Sequence, residues 1–339
     1  MKGSDPIPET YIITPNLNGV SFLEAYFRSL LRQTYEDFRI VFIDNGSSDG
    51  SVDFIKSNFS EYLNDRIILI ENRENLGFAA SNNQGIRIAL EDPHCRYVMC
   101  LNNDTEVLPD FIENLMVAAE ESESVGSVQA RMIWGQNRKL IDSAGLEYSK
   151  NGLGFNRGAY EPVENFDERA RILGCCAGAC LYRREALEDV EVDGEYFDED
   201  FFAYYEDFDL ALRLRSAGWD SLYAPDAIVY HHKGGTNPFV SDFTVYHNWR
   251  NYTWTFIKNM PADLLLRYLP LFVITEIIQV LLNIKRGKFI ILRAKYDAYM
   301  GLRRVIRKRR AVKRVPESEI KEYLVMKWSV KVPSLPETE

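Results

Sequence analysis

Cysteine is scarce, and its spacing excludes a disulfide scaffold: Cys95, Cys100, Cys175, Cys176 and Cys180 are the only five in 339 residues, with no paired spacing. Cys175, Cys176 and Cys180 cluster, but no histidine or fourth cysteine lies near them in sequence, so they read as small core residues rather than a metal site. Internal repeats and low-complexity linkers are missing, and 46% hydrophobic with 27% charged residues is the composition of a globular protein. The opening stretch MKGSDPIPET carries no apolar signal region. These features together lead us to expect a reduced, cytoplasmic protein. The longest apolar run, residues 268–284, is interrupted by Glu276 and Gln279 and is short for a bilayer span of about 20 apolar residues. It is expected to form an interfacial helix.

Charge is present in quantity and unevenly placed. The formal net charge is −10, yet residues 285–314 hold thirteen Lys or Arg against the single acid Asp297, a local +12. Such polarity predicts that the tail meets an anionic partner of its own. Ile290, Ile291, Leu292, Tyr296, Tyr299, Met300 and Leu302 lie among the charges, a pattern that suits an anionic membrane surface. A helical appendage with a solvated basic face would share it. No nucleic-acid reader motif accompanies the charge, so nucleic acid is not an expected partner.

Residues 11–15, 38–44, 66–70 and 97–101 are β-branched, aromatic or apolar runs of strand length separated by helix-length segments. Ser21 and Glu24 fit a capping box opening a helix over 22–32, and Pro109 fits the first turn of another running to about residue 121. Alternating strands and helices predict an α/β, Rossmann-like domain: a mostly parallel sheet with helices on both faces, binding ligands at the carboxyl ends of its strands. Beyond residue 236 the pattern turns to long helices broken near Pro261 and Pro270. We therefore expect a catalytic domain over residues 1–240 and a helical, basic, membrane-associating region over 241–339.

The strand ends carry the chemistry. The first runs into Thr14-Pro15-Asn16-Leu17-Asn18-Gly19, the second into Asp44-Asn45-Gly46-Ser47-Ser48-Asp49-Gly50-Ser51. An acid at a strand's edge can accept hydrogen bonds from a base, and small residues let the backbone approach a ligand. A plain turn followed by a helix cap would look the same. The third strand leads into Asn75-Leu76-Gly77-Phe78-Ala79-Ala80-Ser81-Asn82-Asn83, the fourth into Asn102-Asn103-Asp104.

In this order the segments closely resemble the large inverting GT-A glycosyltransferase family 2, within it the single-addition rhamnosyltransferase and galactofuranosyltransferase branch. The resemblance spans about residues 11–259. It implies that Thr14, Pro15, Asn18, Asp44 and Asn75, with Gly77, Asn82 and Asn103, line the nucleotide-sugar pocket. Asn102-Asn103-Asp104 would occupy the family's Asp-x-Asp metal motif, leaving Asp104 as its one carboxylate ligand for Mg2+ or Mn2+. Glu206-Asp207 matches the family's Glu-Asp pair, whose second member is the base; a helix start would favour the same acids through its dipole. We expect Asp207 to deprotonate the acceptor, and Glu206 to raise its pKa by repulsion or help place the acceptor. In Tyr230-His231-His232 the resemblance favours His231 as a further metal ligand, since successive strand residues face opposite ways. Lys233 and the glycines after it would cover the phosphates. Gly174-Cys175-Cys176-Ala177-Gly178 would leave room for the acceptor.

The expected activity is inverting, metal-dependent transfer of one rhamnose-like or other hexose from a dTDP- or UDP-sugar. The acceptor would be a glycan or lipid-linked hydroxyl of a cell-envelope polysaccharide, and the enzyme would sit on the cytoplasmic face of the membrane. Removal of the tail from about residue 285 is expected to leave donor hydrolysis near normal. The rivals are a processive polysaccharide synthase, whose Gln-x-x-Arg-Trp motif and several membrane spans are missing, and a non-catalytic nucleotide-sugar-binding protein, which has no need of Glu206-Asp207. A sugar-1-phosphate nucleotidyltransferase would carry a basic, Gly-rich loop where residues 15–19 have no charge.

Overall fold

The computed structural model describes residues 9–232, 241–315 and 318–330. Four of the expected strand runs form one parallel half-sheet, β1 (Thr10–Asn16), β2 (Phe38–Asp44), β3 (Ile67–Glu71) and β4 (Tyr97–Leu101), in the order β3-β2-β1-β4. Helices α1 (Val20–Leu30), α2 (Ser51–Asn58) and α3 (Gly77–Glu91) connect them. β1, β2 and β4 are buried on both faces, as parallel strands covered by crossover helices must be, while the edge strand β3 is partly exposed. Along β2, Ile40 and Phe42 join one core layer while Val41 and Ile43 join the other.

The second half of the sheet is mixed. It comprises β5 (Thr105–Val107), β6 (Val125–Trp134), β7 (Ile141–Ser143), β10 (Ala170–Ile172), β11 (Ala179–Arg183) and β12 (Asp220–His231). Antiparallel β11 joins β4 to β6, and β12 runs parallel to β6. Helices α4 (Phe111–Ala119), α5 (Arg184–Asp189) and α6 (Glu206–Ala217) pack on this half. The small strands β8 (Leu146–Ser149) and β9 (Gly154–Asn156) form a separate hairpin.

The Ser21–Glu24 capping box does not form. Helix α1 begins at Val20 with Gly19 at its N-cap, and the Val20 N–H donates 2.9 Å to Asp49 Oδ2 from the loop after β2. A neighbouring loop thus satisfies the donor that a local box would have taken. Pro109 likewise stays outside α4, whose N-cap is Asp110.

The C-terminal helices are α7 (Asp242–Asn259), α8 (Ala262–Lys285), α9 (Ile290–Met300), α10 (Leu302–Ala311) and α11 (Ser318–Tyr323). The break expected near Pro261 is present, but α8 runs through Pro270. Rather than hanging off the body, this region builds a third core in which Tyr252, Phe256 and Phe272 pack with Tyr205 and Phe208. Strand β13 (Leu324–Val325) then pairs with β8. Much of the tail's charge is matched by acids of the body: Lys308 meets Glu195, Asp198 and Asp200, Arg304 meets Asp200, Arg307 meets Asp193 and Lys313 meets Asp189. A main partner of the +12 segment is therefore the protein itself.

Candidate active site

The carboxyl ends of β1, β2 and β4 are tied into one hydrogen-bonded floor. Asp44, 2% exposed, accepts from Asn16 Nδ2 at 2.8 Å and from the Ser47 N–H at 2.9 Å. Asn16 Oδ1 in turn accepts from Asn103 Nδ2. Asn18, at φ 52°, exchanges bonds with Ser47 and Ser48. Asn75 is exposed and holds the Gly77 N–H at 2.9 Å. Pro15 lies half-buried beside them. Asn16, unassigned in the sequence reading, is the hub.

Three residues expected in the nucleotide pocket make contacts within the fold. Thr14 is fully buried and its hydroxyl pairs with Tyr26. Gly77 lies buried at φ 84°, where a Cβ would come within 2.6 Å of Phe202 O; the next two N–H groups of α3 donate to that carbonyl. Asn82 is buried within α3 and bonds back to Phe78 O at 2.9 Å. The run after β3 thus anchors α3 to the loop ahead of Glu206 through Phe202 O, while the Asn82 amide oxygen stays buried without a hydrogen-bond partner among the described residues.

Strand register builds the second feature. The end of β12 pairs with β5, His231 opposite Thr105, which sets His231 beside Asp104. Nε2 lies 3.1 Å from Asp104 Oδ1, and Nδ1 lies 2.6 Å from Asp142 Oδ2 on β7. Burial alone would lower the imidazole's pKa, but the two carboxylates outweigh it and carry it up to about 9. His232 points elsewhere, stacking near Phe22 and approaching Glu106 at 3.8 Å. Asp142 escaped the sequence reading; its one signal is a lone acid between apolar Ile141 and small Ser143-Ala144. Lys233 to Gly235 lie outside the described residues.

Glu206 and Asp207 open α6 after a loop held in unusual backbone geometry: Phe202, Tyr204 and Tyr205 have φ of 64°, 68° and 70°. Non-glycine residues enter that region at a cost and stay there only when surroundings over-determine them. Asn251 of α7 supplies much of that constraint, its amide nitrogen within 2.9 Å of Phe201 O, 2.9 Å of Ala203 O and 2.7 Å of Tyr204 O. Arg250 adds bonds to Asp200 O and Phe201 O. Burial pushes Asp207 up to about 6, with the backbone N–H groups of Phe208 and Ala177 working against it. Glu206 is raised well above the usual range, first by burial and then by Asp207's charge, and its Oε2 is buried without a hydrogen-bond partner. Desolvation, not repulsion from Glu206, therefore accounts for the raised Asp207. Burial and the charge of Asp207 both disfavour the ionised form of Glu206.

Asp207, Glu206, His231, Asn102 and Asp142 all line one cleft of about 820 Å3. Cys176, Ala177 and Gly178 contribute small residues to its wall, and burial keeps the Cys176 thiol protonated. Residues 11–191 match the model of glycosyl transferase family 2. The chain belongs to that family. This family 2 glycosyltransferase is 31% identical over 230 residues to an N-acetylglucosaminyl-diphospho-decaprenol L-rhamnosyltransferase of Mycobacterium tuberculosis, covering 62% of this chain and 72% of that one. It is 26% identical over 243 residues to the uncharacterized protein y4gI of Sinorhizobium fredii, covering 68% of this chain but only 25% of that relative's length. Among solved structures it is similar to the mannosyltransferase PcManGT from Pyrobaculum calidifontis in complex with GDP-Man and Mn2+. The TM-score is 0.53 at 15% identity, over 91% of this chain and 86% of that one. The fold is GT-A.

The glycosyltransferase's donor set fits a divalent ion held in part by substrate. Asp104 and His231 Nε2 converge, and Asp142 holds the far nitrogen of the ring, as a carboxylate behind a metal-ligating imidazole does. Among the described residues no group of three or more acid, cysteine or histidine side chains is arranged to enclose an ion. Two protein ligands would thus hold one side, and phosphate oxygens and water the other.

Proposed function

We propose that this glycosyltransferase moves a single hexose, rhamnose-like or other, from a dTDP- or UDP-linked donor to a hydroxyl of a glycan or lipid-linked acceptor, inverting the anomeric centre. The observation that carries the reading is the shared cleft: a carboxylate with a pKa near 6 and His231, itself paired with Asp104, line the same space. A base of that pKa is ionised at neutral pH yet basic enough to draw a proton from a hydroxyl in the transition state. Asp207 takes that proton as the acceptor oxygen forms its bond to the anomeric carbon and the bond to the diphosphate breaks. Burial and Asp207's charge both oppose ionisation of Glu206, which favours Asp207 as the charged member of the pair. Asp104 and His231 would hold Mg2+ or Mn2+, which neutralises charge on the departing diphosphate. The strained loop fixes Asp207's position before substrate arrives. Time-resolved NMR of product made by wild type and by Asp207→Asn tests this: retained anomeric configuration, or undiminished turnover by the variant, rules the mechanism out.

The lipid-linked acceptor draws its support from the decaprenol-linked relative and from α8. By length and composition α8 could cross a membrane, with 22% of its apolar window buried. One face is packed on the body through Leu264, Phe272, Thr275 and Glu276, which suits a helix lying in the interface rather than spanning it. Its outer face exposes Leu266, Val273, Ile277 and Leu281. That face, and the basic side chains not paired with body acids, support peripheral attachment to the cytoplasmic face of the membrane as part of this reading.

A further inference from the structure

The packed stripe of α8 extends past the helices it packs on. Phe272 stacks on Tyr252 and Phe256, and Glu276 pairs with Lys295 and Thr253. The same face continues at helical spacing through Gln279, Asn283 and Arg286, and all three line the catalytic cleft together with Trp249 and Trp328. Arg286 contributes the one Lys or Arg side chain among the described residues lining that cleft. It is exposed, and its guanidinium has no ion pair or hydrogen bond among the described residues. Lys288 is held by Asp242 and Lys295 by Glu276, and Lys285, which shares with Arg286 the lack of an ion pair among the described residues, does not line the cleft.

We infer that Arg286, at the end of the stripe that carries Gln279 and Asn283 along the same cleft, binds a phosphate group of the acceptor. The inference rests on the transferase reading above and deepens it. Donor phosphates have their own place, at the sheet edge that carries Asp104 and His231. The wall formed by α8 and Trp328 comes from the C-terminal segment, and Glu206, Asp207 and His231 line the same cleft. An unpaired guanidinium there matches a planar pair of phosphate oxygens with two parallel N–H bonds, which a lysine cannot reproduce. The opposite side of α8 is the exposed apolar face, so an acceptor anchored in a lipid surface would meet Arg286 at the helix's C-terminal end.

The test measures binding of three probes to the full chain by calorimetry in EDTA, so that no metal draws phosphate to Asp104. Farnesyl diphosphate carries tail and phosphates, farnesol the tail alone, and inorganic pyrophosphate the phosphates alone. Wild type should bind farnesyl diphosphate tightest of the three. Arg286→Gln should lose about tenfold or more of that preference over farnesol, the scale of a charge-assisted pair, and Arg286→Lys should recover only part of it. Unchanged preference in Arg286→Gln overturns the inference. So does a variant that keeps the preference but loses binding to phosphatidylglycerol vesicles, because the guanidinium then serves a membrane headgroup. Pyrophosphate binding as tightly as farnesyl diphosphate also overturns it, as a free-phosphate site. A wild type that turns over no nucleotide-sugar defeats the transferase reading itself, whereas turnover with unchanged Arg286→Gln preference defeats only this step.

Discussion

Asp104 and His231 meet at 3.1 Å, although one ends the turn after β4 and the other ends β12. The antiparallel pairing of His231 with Thr105 makes the contact. Asp104→Ala should abolish metal-dependent donor binding, since the amides Asn102 and Asn103 are neutral, weak ligands. His231→Ala should weaken it and His232→Ala should not. Mn2+ titration in the presence of a nucleoside diphosphate checks this; a crippled His232→Ala beside a normal His231→Ala reverses the assignment.

Asp142 acts through His231. Asp142→Asn should lower Mn2+ affinity in the same titration by about 10- to 100-fold, the usual effect of losing the carboxylate that orients a ligating imidazole. Affinity equal to wild type would remove Asp142 from that role.

Asp207→Asn should retain fold and donor affinity while lowering turnover by roughly 100-fold or more. Because burial raises the folded-state pKa to about 6, the active carboxylate form is lost as pH falls through that value. The acid limb of kcat/KM should therefore bend near pH 6 and fall about tenfold per unit below it. A limb that persists unchanged in Asp207→Asn belongs to another group.

Asn251→Ala leaves the carbonyls of residues 201, 203 and 204 without its amide. Losing such buried bonds costs about 1–3 kcal/mol, and the strained segment before Glu206 should relax. A lower Tm with a drop in kcat larger than in donor affinity is the expected pattern. Wild-type kcat at a permissive temperature would show that the loop holds its shape without α7.

Asp198 sits between Lys258 and Lys308, 5% exposed. Burial opposes its ionisation, but the two ammonium groups prevail and hold its pKa far below the carboxylate range. A depressed folded-state pKa contributes stability above the unfolded value of about 3.9 and loses it as pH falls further. Thermal melting should therefore decline steeply below about pH 4, and less steeply in Asp198→Asn. Truncation from residue 285 would strip Lys295 and Lys308 from Glu276 and Asp198, so a lowered Tm of the truncated chain, rather than near-normal donor hydrolysis, is the expected outcome. Membrane attachment is better tested with Leu266, Ile277 and Leu281 changed to Ser: sedimentation with anionic vesicles at low salt should fall, and unchanged sedimentation would clear α8 of that role.

The four parallel strands and the helices between them were legible because hydrophobic periodicity and turn chemistry are local properties of the chain. So were the residue types proposed for transfer, since Asp104, Asp207 and His231 stand in short ordered motifs. What no local pattern encodes is which polar groups meet after packing. Asn82 and Gly77 read as pocket residues, yet the fold turns them toward α3's own turn and Phe202, whereas Asn16, Asp142 and Asn251 acquired their tasks from strands and a helix distant in sequence. Charge behaved likewise. The +12 segment was countable from composition, but only tertiary structure set its acids beside it, because an ion pair buried between α7, α10 and the residues before α6 depends on where three elements pack and not on what any one of them contains.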